Sequence, residues 1–259
     1  WAASDQGRSV AAEPLVRWDV LGAHSSIQTR GSRPNPARPL AGVRVLDLTR
    51  VLAGPVATRL LAQLGAAVLR VDPPWWDEPG VVPDVMLGKR STRLDLREAE
   101  QRERFAELLA GADILVHGYR PGALDSLDLG EAMRHDLAPG LIEVTLDAYG
   151  WAGPLAGRRG FDSLVQMCTG IADAGMRLLG RDVPTPLPVQ ALDHATGYLM
   201  ARAAIVALTD RLRTGRARRA SLSLARTALL LTGGGTVDPG GEPGDPLRPE
   251  DERDVALEI

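Results

Sequence analysis

The amino-acid sequence predicts an α/β protein with a doubly wound, mostly parallel, Rossmann-like sheet. Short apolar runs alternate with longer amphipathic stretches between residues 43 and 146. Within residues 43–71, a strand pattern, a Gly-Pro turn, a helical pattern, a glycine stop and a second strand pattern follow one another. That order is typical of a right-handed βαβ unit, in which the strands run parallel and are buried under helices.

The individual elements follow from local pattern and from the residues that interrupt it. Strands are predicted where short apolar or β-branched runs occur, at residues 43–48, 67–71, 92–96, 114–116, 141–146 and 220–224. Helices are predicted where apolar residues recur at helical spacing, at residues 56–64, 98–109, 161–170, 193–213 and from 224 to 231. The second half of the chain is therefore expected to be more helical than the first.

The composition divides the chain into three parts. Residues 1–38 are polar and end in a stretch rich in proline and glycine, so they are expected to form an irregular segment or linker. Residues 39–231 contain all the predicted strands and are expected to form the folded domain. Residues 232–259 are rich in glycine, proline and acidic residues and are expected to form a flexible tail.

The overall composition argues against several functional classes. The net charge is −3 and only ten of 259 residues are aromatic, so nucleic acid is not an expected partner. The single cysteine, Cys168, cannot form an internal disulfide and is expected to be buried and inert in its apolar helix. Four scattered histidines suggest no metal site, and no apolar run is long enough to cross a membrane. We expect a soluble, cytoplasmic protein.

Five ordered segments carry a more specific signal. They are residues 39–55 (PLAGVRVLDLTRVLAGP), 64–72 (LGAAVLRVD), 88–96 (GKRSTRLDL), 112–124 (ADILVHGYRPGAL) and 160–170 (GFDSLVQMCTG). In sequence and order they resemble the family III CoA-transferases, a group that includes formyl-CoA and carnitine CoA-transferases and the alpha-methylacyl-CoA racemases. The resemblance implies that residues 39–231 are the large domain of such a protein. It also implies a second, smaller domain after the last helix, which we expect to be absent or truncated here.

The resemblance implies that Asp193 is the catalytic nucleophile. In the family this aspartate opens a long helix after a loop of prolines and small residues, and residues 184–192 match that loop. A helix N-terminus favours the ionised carboxylate, which can attack a thioester carbonyl and pass through a mixed anhydride to an aspartyl-CoA thioester. An alternative interpretation is that Asp193 is only the N-cap of its helix.

Racemisation is a further alternative, and the sequence disfavours it. Racemases of this family pair the aspartate with a histidine, and Phe161 occupies that histidine position. Phenylalanine cannot exchange a proton, whereas racemisation needs two acid–base groups. Asp162 and Arg159 stay candidate polar neighbours of the site, Asp162 with a possible catalytic role. Their alternatives are a helix N-cap for Asp162 and a solvated loop charge for Arg159.

The expected coenzyme A site matches the family less well. The resemblance implies contacts from the turn Val51, Leu52 and Ala53 and from basic residues after two later segments. Asp72-Pro73-Pro74 and Asp125-Ser126 stand at those two places and contain no basic residue. The remaining candidates for the coenzyme phosphates are Lys89, Arg90, Arg120 and Arg159. Adjacent Trp75 and Trp76 could stack on adenine or close a loop over the core.

Two functions from different classes follow. The first is a CoA-transferase that moves CoA between an acyl-CoA and a carboxylate through Asp193, with no metal cofactor. The second is a non-catalytic CoA-binding or partner subunit of the same fold, which the missing basic positions would favour. The resemblance further implies an interlocked homodimer that uses small-molecule substrates only.

Overall fold

The computed structural model describes residues 1–23 and 35–233. Within them the strands are β1 (Arg17–Ala23), β2 (Arg44–Leu48), β3 (Ala67–Asp72), β4 (Arg90–Arg93), β5 (Ile114–His117), β6 (Ile142–Asp147) and β7 (Arg216–Ser223). The helices are α1 (Asp5–Ala12), α2 (Ala53–Gln63), α3 (Val82–Val85), α4 (Ala99–Ala110), α5 (Glu131–Leu137), α6 (Asp162–Cys168), α7 (Ile171–Leu178), α8 (Ala191–Thr214) and α9 (Leu224–Gly233). None of these helices is both long and apolar enough to cross a membrane.

The strands form one sheet in the order β1-β7-β6-β5-β2-β3-β4. All neighbouring pairs are parallel except β1 and β7, so the predicted mostly parallel α/β fold is confirmed. From β2 the chain adds β3 and β4 on one side, and it then adds β5, β6 and β7 on the other side. In such sheets ligands bind in the crevice beyond the carboxyl ends of the two strands where the direction reverses. Here that crevice lies between the turns after β2 and β5.

Each face of the sheet has its own apolar core because side chains alternate along a strand. Val45 of β2 faces α2 and α8, where it packs with Leu61 and Met200. Leu46 points to the opposite face and packs with Phe105 and Leu109 of α4. Asp193 is therefore carried by a helix that covers the first of these two faces.

The prediction of an irregular segment over residues 1–38 is wrong for residues 1–23. They form α1 and then β1, which pairs with β7 and places Trp18 opposite Ala220. Gln6 fixes α1 by donating from Nε2 to the carbonyl oxygens of Tyr149 and Ala152, both at 2.8 Å. These partners lie more than 140 residues away along the chain, so no local sequence pattern could predict the contacts.

Two other element predictions need adjustment. The strand expected at residues 92–96 ends at Arg93 because the Asp95 carboxylate accepts the N–H of Arg97 at 3.0 Å and turns the chain toward α4. At the C-terminus, residues 232 and 233 belong to α9 rather than to a tail. The rest of the predicted tail, like residues 24–34, lies outside the described residues.

Candidate active site

Asp193 is the third residue of α8 and is buried, with 7% of its surface exposed. The N-cap position belongs to Gln190, so the interpretation of Asp193 as a plain N-cap is wrong. The backbone N–H of Asp193 donates to Oδ2 of Asp162 at 2.9 Å. The first turn of α8 thus receives its side-chain acceptor from α6.

Asp162 is the first residue of α6 and is 1% exposed; the N-cap position belongs to Phe161, so the interpretation of Asp162 as a helix N-cap is wrong. Its other carboxylate oxygen, Oδ1, accepts a hydrogen bond from Nε2 of Gln166. Gln166 also donates to the carbonyl oxygen of Val189 at 3.1 Å and accepts the N–H of Leu187 at 2.8 Å. Through Asp162 and Gln166, α6 fixes both the loop before α8 and the first turn that carries Asp193.

The electrostatics of Asp193 differ from the expectation that the helix N-terminus would favour the ionised form. Burial, followed by the neighbouring charge of Asp162, raises the pKa of Asp193 to about 7. Within residues 1–23 and 35–233, no side chain or backbone N–H donates to the Asp193 carboxylate. A carboxyl group with this pKa is close to half ionised near neutral pH, and its ionised form is poorly solvated here.

The turn after β2 lies next to this aspartate. Ala53, the first residue of α2, shares an apolar cluster with Leu192 and Val165. One turn beyond Asp193, Gly197 lets α8 approach α2 so closely that a Cβ atom there would lie 2.6 Å from the carbonyl oxygen of Ala53. The structure thus brings Asp162 to Asp193, and it packs Ala53 of the predicted coenzyme turn against the helix that carries Asp193.

Lys89 does not fit its predicted role as a phosphate ligand. Its side chain is fully buried, and Nζ donates to Oδ2 of Asp47 at 3.1 Å and to the carbonyl oxygen of Pro55 at 2.8 Å. Thr58 Oγ1 accepts a further hydrogen bond from the same ammonium. Lys89 therefore stabilises the β2–α2 junction from inside and has no free donor for a ligand.

The three candidate arginines are all exposed but lie in different places. Arg90 opens β4 level with Leu69, three residues before the end of β3, and so is set back from the carboxyl edge. Arg159 lies in the loop before α6, two residues from Phe161. Arg120 follows β5 at the carboxyl edge and lines two cavities of about 270 and 570 Å³. Of the three, Arg120 has the position that the crevice requires.

Arg50 is a further cation at the crevice, and it was not among the residues predicted from the sequence. Its guanidinium lies over the ring of Trp76, 4.6 Å from the ring centroid, and beside the hydroxyl of Tyr119. The contact with Tyr119 connects the turn after β2 to the turn after β5. The sequence feature that could have identified Arg50 is its position directly before Val51, the first residue of the expected coenzyme turn. Trp75 is 57% exposed with Arg97 over its ring, so it does not close a loop over the core.

Cys168 is exposed, which overturns the expectation of a buried thiol. The buried face of α6 consists of Asp162, Val165 and Gln166, at helical spacing, and Cys168 lies off that face. Among the residues that the structure describes, no three His, Cys, Asp or Glu side chains lie close enough together to hold a metal ion.

The chain is similar to proteins named as CoA-transferases. A probable fatty acyl-CoA transferase of Mycobacterium tuberculosis is 34% identical over 217 residues, which are 76% of this chain and 53% of that protein. Succinyl-CoA:glutarate CoA-transferase of Mus musculus is 34% identical over 194 residues, 69% of this chain and 44% of the relative. The crystal structure of the mycobacterial protein superimposes with a TM-score of 0.69 at 33% identity and covers 77% of this chain and 58% of that one.

The chain spans about half the length of these relatives, or less. The family described as CoA-transferase family III matches residues 40–258, which is most of the chain. That range contains β2 to β7, the turn of Val51 to Ala53, and both Asp162 and Asp193. The chain therefore belongs to CoA-transferase family III.

Proposed function

We propose that this chain carries the nucleophile and part of the coenzyme site of a CoA-transferase. The observation that carries the proposal is the buried Asp193, with its raised pKa, on a helix that packs against Ala53 of the expected coenzyme turn. A half-ionised carboxylate without hydrogen-bond donors is a strong nucleophile for a carboxylic acid. Family membership supports the same assignment.

The proposed reaction proceeds by alternating attacks on carbonyl carbon. A carboxylate oxygen of Asp193 attacks the acyl carbonyl of acyl-CoA, the C–S bond breaks, and a mixed anhydride and CoA thiolate form. The thiolate then attacks the aspartyl carbonyl, which releases the acyl group as a carboxylate and leaves an aspartyl-CoA thioester. The acceptor carboxylate then attacks the aspartyl-CoA thioester, which gives a second mixed anhydride and CoA thiolate. The thiolate attacks the carbonyl carbon of the acceptor, so the acceptor leaves as its CoA thioester and the Asp193 carboxylate is regenerated.

Asp162 is proposed to be a positioning residue for this nucleophile. Its hydrogen bond to the N–H of Asp193 fixes the first turn of α8, and its negative charge helps to raise the pKa of Asp193. The coenzyme phosphates are proposed to bind Arg120 and Arg50 at the crevice, since Lys89 is engaged with Asp47. Substrates of the acetyl-, succinyl- or fatty acyl-CoA class are proposed from the names of relatives.

The proposal is tested by isotope exchange between free, labelled CoA and acetyl-CoA or succinyl-CoA. Reversal of the first step moves label into the acyl-CoA, so exchange needs no acceptor. We expect the Asp193→Ala variant to lose exchange by at least about a thousandfold. Asp182→Ala changes an exposed aspartate of the loop before the same helix and should exchange as the unchanged chain does. Exchange that persists in Asp193→Ala would exclude the covalent mechanism.

A non-catalytic CoA-binding subunit is the second candidate. The buried Lys89, together with Asp72 at a position where the family carries a basic residue, favours it. CoA binding by calorimetry without any exchange would support that role, and an absence of CoA binding would overturn both functions. An interlocked homodimer and a cytoplasmic location stay predictions.

A further inference from the structure

The turn that precedes α2 contains a residue in an unusual backbone conformation. Val51 has a φ of 65°, in the left-handed region that glycine and asparagine enter far more readily than a β-branched residue. A valine adopts this conformation only where the surrounding contacts impose it. Val51 is also the first residue of the proposed coenzyme turn, so the contacts that impose its conformation bear directly on the coenzyme site.

Glu78 provides such a contact. Its Oε1 accepts the backbone N–H of Val51 at 2.7 Å, across 27 positions of sequence. Its second oxygen, Oε2, accepts a hydrogen bond from Nη2 of Arg70 at 2.6 Å. A carboxylate that is half-buried and held at both oxygens offers the N–H of Val51 an acceptor in one fixed place.

Arg70 holds the Glu78 carboxylate in place. It lies on β3, inside the sheet, and is only 2% exposed. Besides Glu78, its Nη2 donates to Oδ1 of Asp72 at 3.1 Å. Burial opposes the charge of Arg70, but the hydrogen bonds from Arg70 to Glu78 and Asp72 raise its pKa, so the guanidinium stays positive. Glu78 is thus anchored to the rigid strand and not to the loop that carries it.

We infer that Glu78, anchored by Arg70, is a positioning residue that holds Val51 in its left-handed conformation and so shapes the turn for coenzyme A. The inference rests on the proposed function. Without Glu78, Val51 would return to the extended or helical region that valine prefers, and the N–H groups of Leu52 and Ala53 would change direction. The consequence is weaker coenzyme binding with little effect on the attack by Asp193.

The test measures the Kd of the 259-residue chain for CoA by calorimetry and the exchange rate at saturating acetyl-CoA. Glu78→Ala should raise the Kd about tenfold, since the acceptor of the Val51 N–H is removed, and change the saturated exchange rate less than about threefold. Glu78→Gln keeps an oxygen acceptor for Val51 and should recover part of the loss. Asp84→Ala, which removes an exposed carboxylate from the following helix, is the matched control and should bind as the unchanged chain does.

A structural role and a positioning role are separated by repeating the changes in a Val51→Gly background. Glycine enters the left-handed region without strain, so the loss of affinity caused by Glu78→Ala or Glu78→Gln should be clearly smaller there. If Glu78→Ala does not fold, as judged by circular dichroism, Glu78→Gln in both backgrounds supplies the comparison.

Three results would overturn the inference. The first is an unchanged Kd in folded Glu78→Ala and Glu78→Gln, in a chain that binds CoA. The second is an equal loss of affinity in both backgrounds, which would assign Glu78 to general stability. The third is that the unchanged chain fails to bind CoA at all, in which case the proposed function falls together with this inference.

Discussion

A nucleophilic carboxylate needs a high pKa for its nucleophilic strength, but a high pKa also lowers its ionised fraction at neutral pH. Asp193 shows both effects. Burial and the charge of Asp162 raise its pKa to about 7, which makes the ionised form a better nucleophile. The same shift leaves only about half of the molecules ionised at neutral pH. The rate of the first chemical step is therefore expected to depend on the protonation of this one residue.

The exchange rate should rise with pH through a midpoint near 7, because in the proposed reaction only the carboxylate form of Asp193 attacks the thioester. Asp162→Asn removes a like charge and should move this midpoint to lower pH. The midpoint should stay above the usual range of an aspartate, since burial is the larger cause. Asp182→Asn should leave the profile unchanged. A midpoint below pH 5 in the unchanged chain would contradict this account.

The raised pKa also predicts a cost in stability. The unfolded chain loses the Asp193 proton near pH 4, whereas the folded chain keeps it until about pH 7, so this residue destabilises the fold increasingly between those values. Asp193→Asn should raise the Tm at pH 8 by roughly 2–4 °C per kcal/mol gained and have little effect at pH 4. Calorimetric melting at both values measures this. A variant that is less stable at pH 8 would refute the assignment.

At the scale of elements, the close contact of α2 and α8 brings the coenzyme turn to Asp193. Gly197→Ala would place a methyl group 2.6 Å from the carbonyl oxygen of Ala53, so the helices must separate. We expect a loss of about 1–3 kcal/mol in the free energy of unfolding and weaker CoA binding. Gly233→Ala, at the end of α9, is the control and should be neutral, because an added Cβ meets no atom within 4 Å among the residues that the structure describes. Denaturant titration and calorimetry measure the two effects, and equal stability of both variants would contradict the prediction.

Lys89 and Asp47 provide a second element-scale prediction, at the junction of β2 and α2. Lys89→Met leaves the buried Asp47 carboxylate without its counter-charge and should destabilise the fold by about 3–5 kcal/mol. The fraction that stays folded should bind CoA with an unchanged Kd, because Lys89 is engaged inside the protein. A stable variant with much weaker CoA binding would return Lys89 to the role of a phosphate ligand.

The elements that the sequence predicts well are those with local patterns. The strands β2, β3, β5 and β6 were expected within about one residue at each end, because each is a short apolar run bounded by glycine or by an Asp-Pro turn. The segment of α1 and β1 was missed, because its stability comes from Gln6 and from pairing with β7, about 200 residues away. Such non-local pairing leaves no periodicity in the segment itself.

In the candidate site, too, residues with a local sequence pattern were predicted, and contacts between distant residues were not. Asp193 and Asp162 were identified by resemblance, and the Asp162–Gln166 contact has the i, i+4 spacing that a helix places together. The contact of Glu78 with Val51 and the burial of Lys89 depend on how separate elements meet. Neither could be inferred from composition or spacing, and Lys89 was assigned to the wrong role for that reason.

At the scale of the whole molecule, the strand order places the β2 turn, the β5 turn and the start of α8 at one edge of the sheet. Arg120 lines a cavity at the carboxyl end of β5, and Arg50 lies over Trp76 and beside Tyr119. The central step of the proposed reaction is the covalent attachment of Asp193 to the acyl group and then to CoA.

The most direct measurement traps that intermediate. The chain is incubated with acetyl-CoA or succinyl-CoA, quenched with hydroxylamine, digested and analysed by mass spectrometry. The account predicts an aspartyl hydroxamate on the peptide that contains Asp193, which forms only with acyl-CoA present and is absent from Asp193→Ala. Turnover of the acyl-CoA with no modified Asp193 peptide, or with the hydroxamate on another residue, would contradict it.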